Sequence, residues 1–142
     1  ETGHLVLATL HTPDAPQTIE RIIDAFPPHQ QQQVKLQLAS ALQGVVSQLL
    51  LPKADNQGRV LATEIMVVTP GIRNLIREQA IEQIPTAIQT GSAYGMHTMD
   101  KCLQRLYQDG TISYETAISN VKNKEEFKQL LNTGKTTPQK KF

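Results

Sequence analysis

The feature that most constrains the fold is a nearly continuous apolar run near the start of the chain, residues 5–10 (Leu-Val-Leu-Ala-Thr-Leu). Such a run is typical of a strand buried on both faces, and strands of this kind occur in parallel sheets that helices cover. His11, Thr12 and Pro13 end the run. The sequence therefore predicts an α/β fold that begins with a buried strand.

Two helical segments and a β-hairpin follow this strand. Apolar side chains at helical spacing predict a helix over residues 15–26. A Pro-Pro pair ends it, and a second helix continues to about Gly44. Two strands, residues 45–51 and 59–69, flank a loop that contains Pro, Asp, Asn and Gly, which predicts a hairpin. We therefore expect residues 1–69 to form an α/β portion with few strands.

The character of the chain changes after residue 69, because apolar residues then recur only at helical spacing. This pattern predicts an all-helical subdomain over residues 70–131. Asn123 and Glu126 have the spacing of a capping box, which places the start of the last helix. Residues 132–142 are polar and basic, and we expect them to form a flexible tail.

The composition excludes several classes of function. Lys plus Arg (14) and Asp plus Glu (13) leave a net charge of +1, which argues against a nucleic-acid binder with a concentrated basic surface. Aromatic residues make up 4% and Trp is absent, which disfavours base-stacking platforms. No stretch reaches the roughly 18 apolar residues of a membrane span. No His or Cys set has metal-ligand spacing, and the single Cys102 suits a reducing compartment.

The candidate acid–base groups are scattered along the sequence. His4 and His11 bracket the predicted strand and would lie roughly 23 Å apart in it, so they cannot contact one small ligand together. His11 is at the carboxyl end of the strand, where ligands bind in open parallel sheets, and His4 is not. Glu64 and Asp100 are isolated carboxylates, and their spacing gives neither of them an acid–base partner.

Arg73 and Arg77 are four residues apart and project from the same side of a predicted helix. The apolar residues of that helix form a separate stripe, so we expect Arg73, Asn74 and Arg77 to point to solvent. From the residues alone, the ordinary role of such a face is solvation with weak surface ion pairs.

Gly134, Lys135 and Thr136 look like the end of a phosphate-binding P-loop, but the pattern fails. It requires a Gly where this chain has Gln129, and it must leave a strand and open a helix. The chain therefore contains no P-loop. Without that backbone cradle for phosphates, we expect no micromolar affinity for Mg-ATP.

Several strings together resemble one family, the type IV pilus retraction ATPases, which are the twitching-motility PilT group of the secretion ATPase superfamily. Residues 2–12 (TGHLVLATLHT) resemble the superfamily's His box, and residues 71–78 (GIRNLIRE) resemble the helix motif that separates retraction motors from extension motors. Further matching strings are RIID at 21–24, LLLP at 49–52, GRV at 58–60, EIM at 64–66, QTG at 89–91 and GMHTMD at 95–100. The resemblance covers residues 1–131.

The resemblance implies the carboxyl-terminal part of a RecA-like ATPase domain followed by a helical subdomain, cut from a longer protein whose P-loop and acidic strands lie upstream. The longer protein would be a cytoplasmic homohexamer, peripheral at the inner membrane, that uses ATP and Mg²⁺ to power pilus retraction and docks to a pilus platform protein. The chain alone would bind no cofactor and would be inactive.

The resemblance also implies roles for particular residues. His11 would sense the γ-phosphate, with His4 in a supporting role. The residues that would serve motor output, through another subunit or a partner, are Arg73, Asn74, Arg77 and Glu78.

Two alternatives stay open. One is a stand-alone helical interaction module that docks to a pilus or secretion platform, and the other is a related secretion or pilus-extension ATPase. A P-loop within about 100 residues upstream would favour a motor. The resemblance of residues 71–78 favours retraction over extension.

Overall fold

Helices and one β-hairpin account for most of residues 3–133, the part of the chain that a computed structural model describes. The elements are α1 (Ala15–Asp24), α2 (Pro28–Ala41), β1 (Gly44–Pro52), β2 (Arg59–Val67), α3 (Pro70–Arg77), α4 (Ile84–Thr90), α5 (Met99–Gln108), α6 (Tyr114–Asn120) and α7 (Lys124–Thr133), with 3-10 turns at Ile81–Gln83 and Ser92–Tyr94. The expected combination of an α/β portion with following helices is confirmed.

The predicted strand at residues 5–10 is not formed. Residues 4–12 have no regular secondary structure, and Leu5, Val6 and Leu7 are 84%, 77% and 88% exposed. A strand needs a neighbouring strand to pair its backbone N–H and C=O groups, and within residues 3–133 the only sheet is the two-stranded hairpin. The prediction of a strand buried on both faces is therefore wrong for the described chain.

The hairpin pairs β1 with β2 in an antiparallel register. The Lys53 N–H donates to the Gly58 carbonyl at 3.2 Å near the turn, and at the open end the Val68 N–H donates to the Gln43 carbonyl at 2.9 Å. Both pairs fit one register, in which Ser47 lies opposite Glu64. The predicted hairpin is confirmed. The buried face of β2 alternates as a period of two requires, and it carries Ala62, Glu64 and Met66.

One compact unit comprises Glu1–Leu49 and Thr63–Met99, and its core is mainly aliphatic. Ile19 and Ile23 of α1 are buried, as are Ile72 and Ile76 of α3, because each pair is four residues apart on one helix face. The other buried members of this core are Ala15, Ala39, Met66, Val68, Ile81, Ile84, Ile88 and Met96.

The other compact unit comprises Leu50–Ala62 and Asp100–Phe142. The ring of Tyr107 contacts the rings of Tyr114 and Phe127, with centroids 5.9 and 6.3 Å apart. Of these three residues Phe127 is buried, and the other buried apolar residues of this unit are Leu51, Ala62, Cys102, Leu103, Leu106, Ile112, Ala117 and Val121.

A capping interaction begins α7 as the sequence predicts. The Glu126 N–H donates to Asn123 Oδ1 at 3.0 Å. The second half of a capping box would join the Asn123 N–H to the Glu126 carboxylate. Here Asp100 accepts that N–H at 3.1 Å, and it also accepts the Lys122 N–H at 3.0 Å. α7 includes Asn132 and Thr133. Residues 134–142, with most of the predicted tail and the Gly-Lys-Thr string, lie outside the described residues.

The carboxyl end of α3 is closed by a residue in the left-handed conformation. Gln79 has φ of 60°, its N–H donates to the Ile76 carbonyl, and the Ala80 N–H donates to the Leu75 carbonyl. This pair of bonds is a Schellman motif, in which Gly is the usual residue at the left-handed position. The Gln79 side chain accepts a 2.6 Å hydrogen bond from Nζ of the buried Lys35, which explains a residue other than Gly here.

We predict that Gln79→Gly is more stable than Gln79→Ala by about 1 kcal/mol, since both lose the bond to Lys35 but only Gly relieves the left-handed backbone. Urea unfolding followed by circular dichroism measures the difference. Glu78 is the matched control because its φ is −82°. There Ala should be the more stable of the two substitutions. Equal stability of the two Gln79 variants would contradict this account of the turn.

Candidate functional site

His11 lies on the surface at the end of the irregular segment 4–12. Its side chain is exposed, and within residues 3–133 no hydrogen bond or ion pair engages its imidazole ring. His4 is also exposed and is not hydrogen-bonded to His11. The structure therefore shows no bond between the two histidines, and it leaves the His11 ring available to a ligand.

The turn between His11 and α1 is held by short hydrogen bonds. Asp14 is the N-cap of α1, and its side chain accepts the Gln17 N–H at 2.8 Å. Thr12 Oγ1 and Thr18 Oγ1 are 2.6 Å apart, and Thr18 Oγ1 also donates to the Asp14 carbonyl at 2.7 Å. These bonds fix the turn that directly follows His11.

Glu64 is a buried carboxylate that accepts backbone hydrogen bonds from the first residues of two helices. Its Oε1 accepts the Ala15 N–H at 3.0 Å, and its Oε2 accepts the Met99 N–H at 3.3 Å. Helix N-termini carry unpaired N–H groups and a partial positive charge, both of which stabilise an anion. Sequence spacing left Glu64 without a partner. Its place between Ala62 and Met66 on the alternating face of β2 was the one signal that it would be buried.

Arg73 is half-buried and does not point to solvent. Its Nη1 donates to the carbonyls of Ala39 and Ser40, at 2.6 and 2.8 Å, in the last turn of α2. The final carbonyls of a helix lack intrahelical partners, and a guanidinium group beside them supplies donors and a favourable charge. The expectation that Arg73 faces solvent is therefore wrong, since α2 packs against α3 and its end faces this side chain.

The exposed charged surface of α3 consists of Asn74, Arg77 and Glu78. Asn74 Nδ2 donates to Glu78 Oε1 at 2.9 Å, which engages both side chains on the surface. Within the described residues, Arg77 has neither a hydrogen bond nor an ion pair from its side chain. Its planar guanidinium group is therefore free to bind a carboxylate through two parallel hydrogen bonds.

Residues 3–133 contain neither a cluster of metal-ligating side chains nor a membrane-spanning helix. Among them, no group of three or more His, Cys, Asp or Glu side chains could hold a metal ion. No helix in this part of the chain has the length and apolar character needed to cross a bilayer.

Comparisons with known proteins agree with one another. A family model described as type II/IV secretion system protein matches residues 1–140. The type IV pilus retraction ATPase PilT of Pseudomonas aeruginosa is 50% identical over 127 residues, which are 89% of this chain and 37% of PilT. A twitching motility protein of Neisseria gonorrhoeae is 47% identical over 125 residues, which are 88% of this chain and 33% of that protein. The chain thus spans about a third of the length of these curated relatives.

A solved structure of the pilus retraction motor PilT with bound ADP is similar to this chain, with a TM-score of 0.80 at 44% sequence identity. The match covers 91% of this chain and 36% of that one. The mixed helix and strand fold described above is therefore structurally similar to the carboxyl-terminal region of the PilT ATPase.

We predict different effects for the two arginines of α3. Arg73→Ala should lower the free energy of unfolding by about 1–2 kcal/mol, since two carbonyls of α2 lose a charged donor. Arg77→Ala is the matched control and should change it by less than about 0.5 kcal/mol, because its side chain is exposed and unpaired. Urea unfolding of both variants measures this. If the two variants unfold at the same urea concentration, Arg73 does not stabilise the end of α2.

Proposed function

Because the chain belongs to the type II/IV secretion system protein family, we propose that it is the carboxyl-terminal part of a hexameric motor that hydrolyses ATP to power type IV pilus retraction. The observation that carries this proposal is the 50% identity with the retraction ATPase PilT over 127 residues. The structural similarity to PilT at 44% identity supports it. The resemblance of residues 71–78 to the retraction motif favours retraction over extension.

The proposal extends to nucleotide and assembly. ATP and Mg²⁺ would serve the full-length protein, which would act as a cytoplasmic homohexamer, peripheral at the inner membrane, in contact with a pilus platform protein. The relative solved with bound ADP supports a nucleotide as ligand. The residues of this chain fit only part of a nucleotide site, since it offers an exposed imidazole but no P-loop cradle. The 142-residue chain alone would therefore not hydrolyse ATP.

His11 is the residue of this chain that we place at the γ-phosphate. Phosphoryl transfer depends on positioning and on electrostatic stabilisation of the phosphate oxygens, and an imidazole N–H can donate to one of them. The exposed ring of His11 and the fixed turn behind it support this role. His4 would support the same segment without contacting the phosphate.

Arg77, with Asn74 and Glu78 beside it, is the group we propose for motor output. An unpaired guanidinium on the helix surface can bind a carboxylate of another subunit or of a partner protein. Arg73 would contribute to the same output by holding α3 to the end of α2, since its donors are already engaged there.

We expect His11→Ala to lower kcat for ATP hydrolysis by the full-length protein at least about tenfold, because a donor to the γ-phosphate is lost. Its urea midpoint should not change, since the side chain is exposed. His29→Ala removes another exposed histidine, on α2, and serves as the control that keeps full turnover. Equal turnover in the two variants would remove His11 from the reaction. Absence of ATPase activity in the unmodified full-length protein would favour a docking module.

We expect Arg77→Ala in the full-length protein to abolish pilus retraction while ATP hydrolysis stays within about twofold of normal, because the guanidinium group acts on a partner. Retraction and phosphate release are measured on the same variant. Lys124→Ala removes an exposed cation at the start of α7 and should leave both activities intact. Normal retraction by the Arg77 variant would show that this side chain only solvates α3.

A further inference from the structure

The backbone turn that follows His11 is attached to a distant part of the chain by Glu64. The Ala15 N–H donates to Glu64 Oε1 at 3.0 Å, across 49 residues of sequence, and the bond is buried. We infer that Glu64 is a positioning residue for His11, which it holds toward the γ-phosphate through the amino-terminal turn of α1. This inference rests on the proposed role of His11.

The carboxylate of Glu64 is well placed for this role. Glu64 is 4% exposed and lies in β2, where the paired strand β1 restrains its backbone. Both of its oxygens are engaged, since Oε2 accepts the Met99 N–H at 3.3 Å. A buried carboxylate bound by two helix N-termini is held in one orientation, because any rotation would leave an N–H and the charge unpaired.

Ser47, the residue opposite Glu64 on the paired strand, does not hold this carboxylate. Ser47 lies directly opposite Glu64 across the hairpin and is also buried. Its hydroxyl has no hydrogen-bond partner within the described residues. A donor thus stands on the neighbouring strand, yet both Glu64 oxygens accept backbone N–H groups instead.

The restraint at Ala15 reaches His11 through a short and stiff piece of chain. Only three residues separate them, and the middle one is Pro13, whose ring fixes one backbone angle. Asp14 caps α1, and the Thr12 and Thr18 hydroxyls bond to each other at 2.6 Å. A shift of Ala15 would therefore move His11 rather than be absorbed by the turn.

The test compares Glu64→Gln with Asp100→Asn in the full-length protein. The glutamine keeps the shape, but it turns one acceptor oxygen into a donor, so one of the two amides loses its partner. Asp100 provides the matched control because it too accepts two backbone N–H groups, those of Lys122 and Asn123.

We expect Glu64→Gln to lower kcat for ATP hydrolysis about 10- to 100-fold, the scale expected when a catalytic group is displaced by about 1 Å. The KM for ATP should stay within about twofold, because the P-loop would carry nucleotide affinity. Amide exchange at Ala15 should accelerate, and the ring NMR signals of His11 should shift. Asp100→Asn should accelerate exchange at Lys122 and Asn123 and leave kcat unchanged.

A double variant separates a positioning role from a structural one. If Glu64 acts through His11, then His11→Ala combined with Glu64→Gln has the same kcat as His11→Ala alone. The inference is wrong if the double variant loses kcat by the product of the two single losses. It is also wrong if Glu64→Gln and Asp100→Asn lose kcat equally and in proportion to the fraction of protein that is folded. Normal kcat in Glu64→Gln with reduced kcat in His11→Ala would also overturn it and leave the proposed function standing. Normal kcat in His11→Ala would overturn both this inference and the proposed role of His11, whereas the motor function itself fails only if the unmodified full-length protein shows no ATPase activity.

Discussion

Helix ends carry backbone groups that have no partner inside the helix, and this chain satisfies several of them with charged side chains from elsewhere in the sequence. Glu64 accepts the first N–H of α1, Asp100 accepts the two amides that precede α7, and Arg73 donates to the last carbonyls of α2. In each case the charge of the side chain is opposite in sign to the partial charge of the helix end. These bonds join segments that are 22 to 49 residues apart. They therefore fix the arrangement of helices within each compact unit more narrowly than aliphatic packing alone.

The sequence predicted the elements that bury a periodic apolar face. The apolar stripes of α1 and α3 and the hairpin could all be predicted from the sequence. Burial at every fourth residue of a helix, or at every second residue of a strand, is a local property of the chain. The run at residues 5–10 was misread because its composition indicates a strand but supplies no partner strand. An apolar pattern indicates that a segment tends to be buried, whereas a sheet also needs a second strand whose backbone can pair with it.

For a related reason, only part of the candidate site could be predicted from the sequence. His11 was identified from its place after the apolar run, and its exposure agrees with that place. The roles of Glu64 and Arg73 could not be predicted, because their partners are backbone groups far along the chain. Glu64 accepts an N–H 49 residues away, and Arg73 donates to a carbonyl 34 residues away. No spacing rule relates a side chain to a distant helix end. The two arginines of α3 look equivalent in the sequence, and only the position of α2 makes one of them internal and leaves the other exposed.

The exposed segment of Leu5, Val6 and Leu7 has a practical consequence for handling the chain. Apolar surface in water costs about 25 cal/mol per Å², and a backbone outside helix and sheet offers hydrogen-bonding groups to a similar segment nearby. Two chains that meet through this segment can lower both costs at once. We therefore expect this short stretch to favour self-association of the purified chain, and a charged substitution there to reduce it.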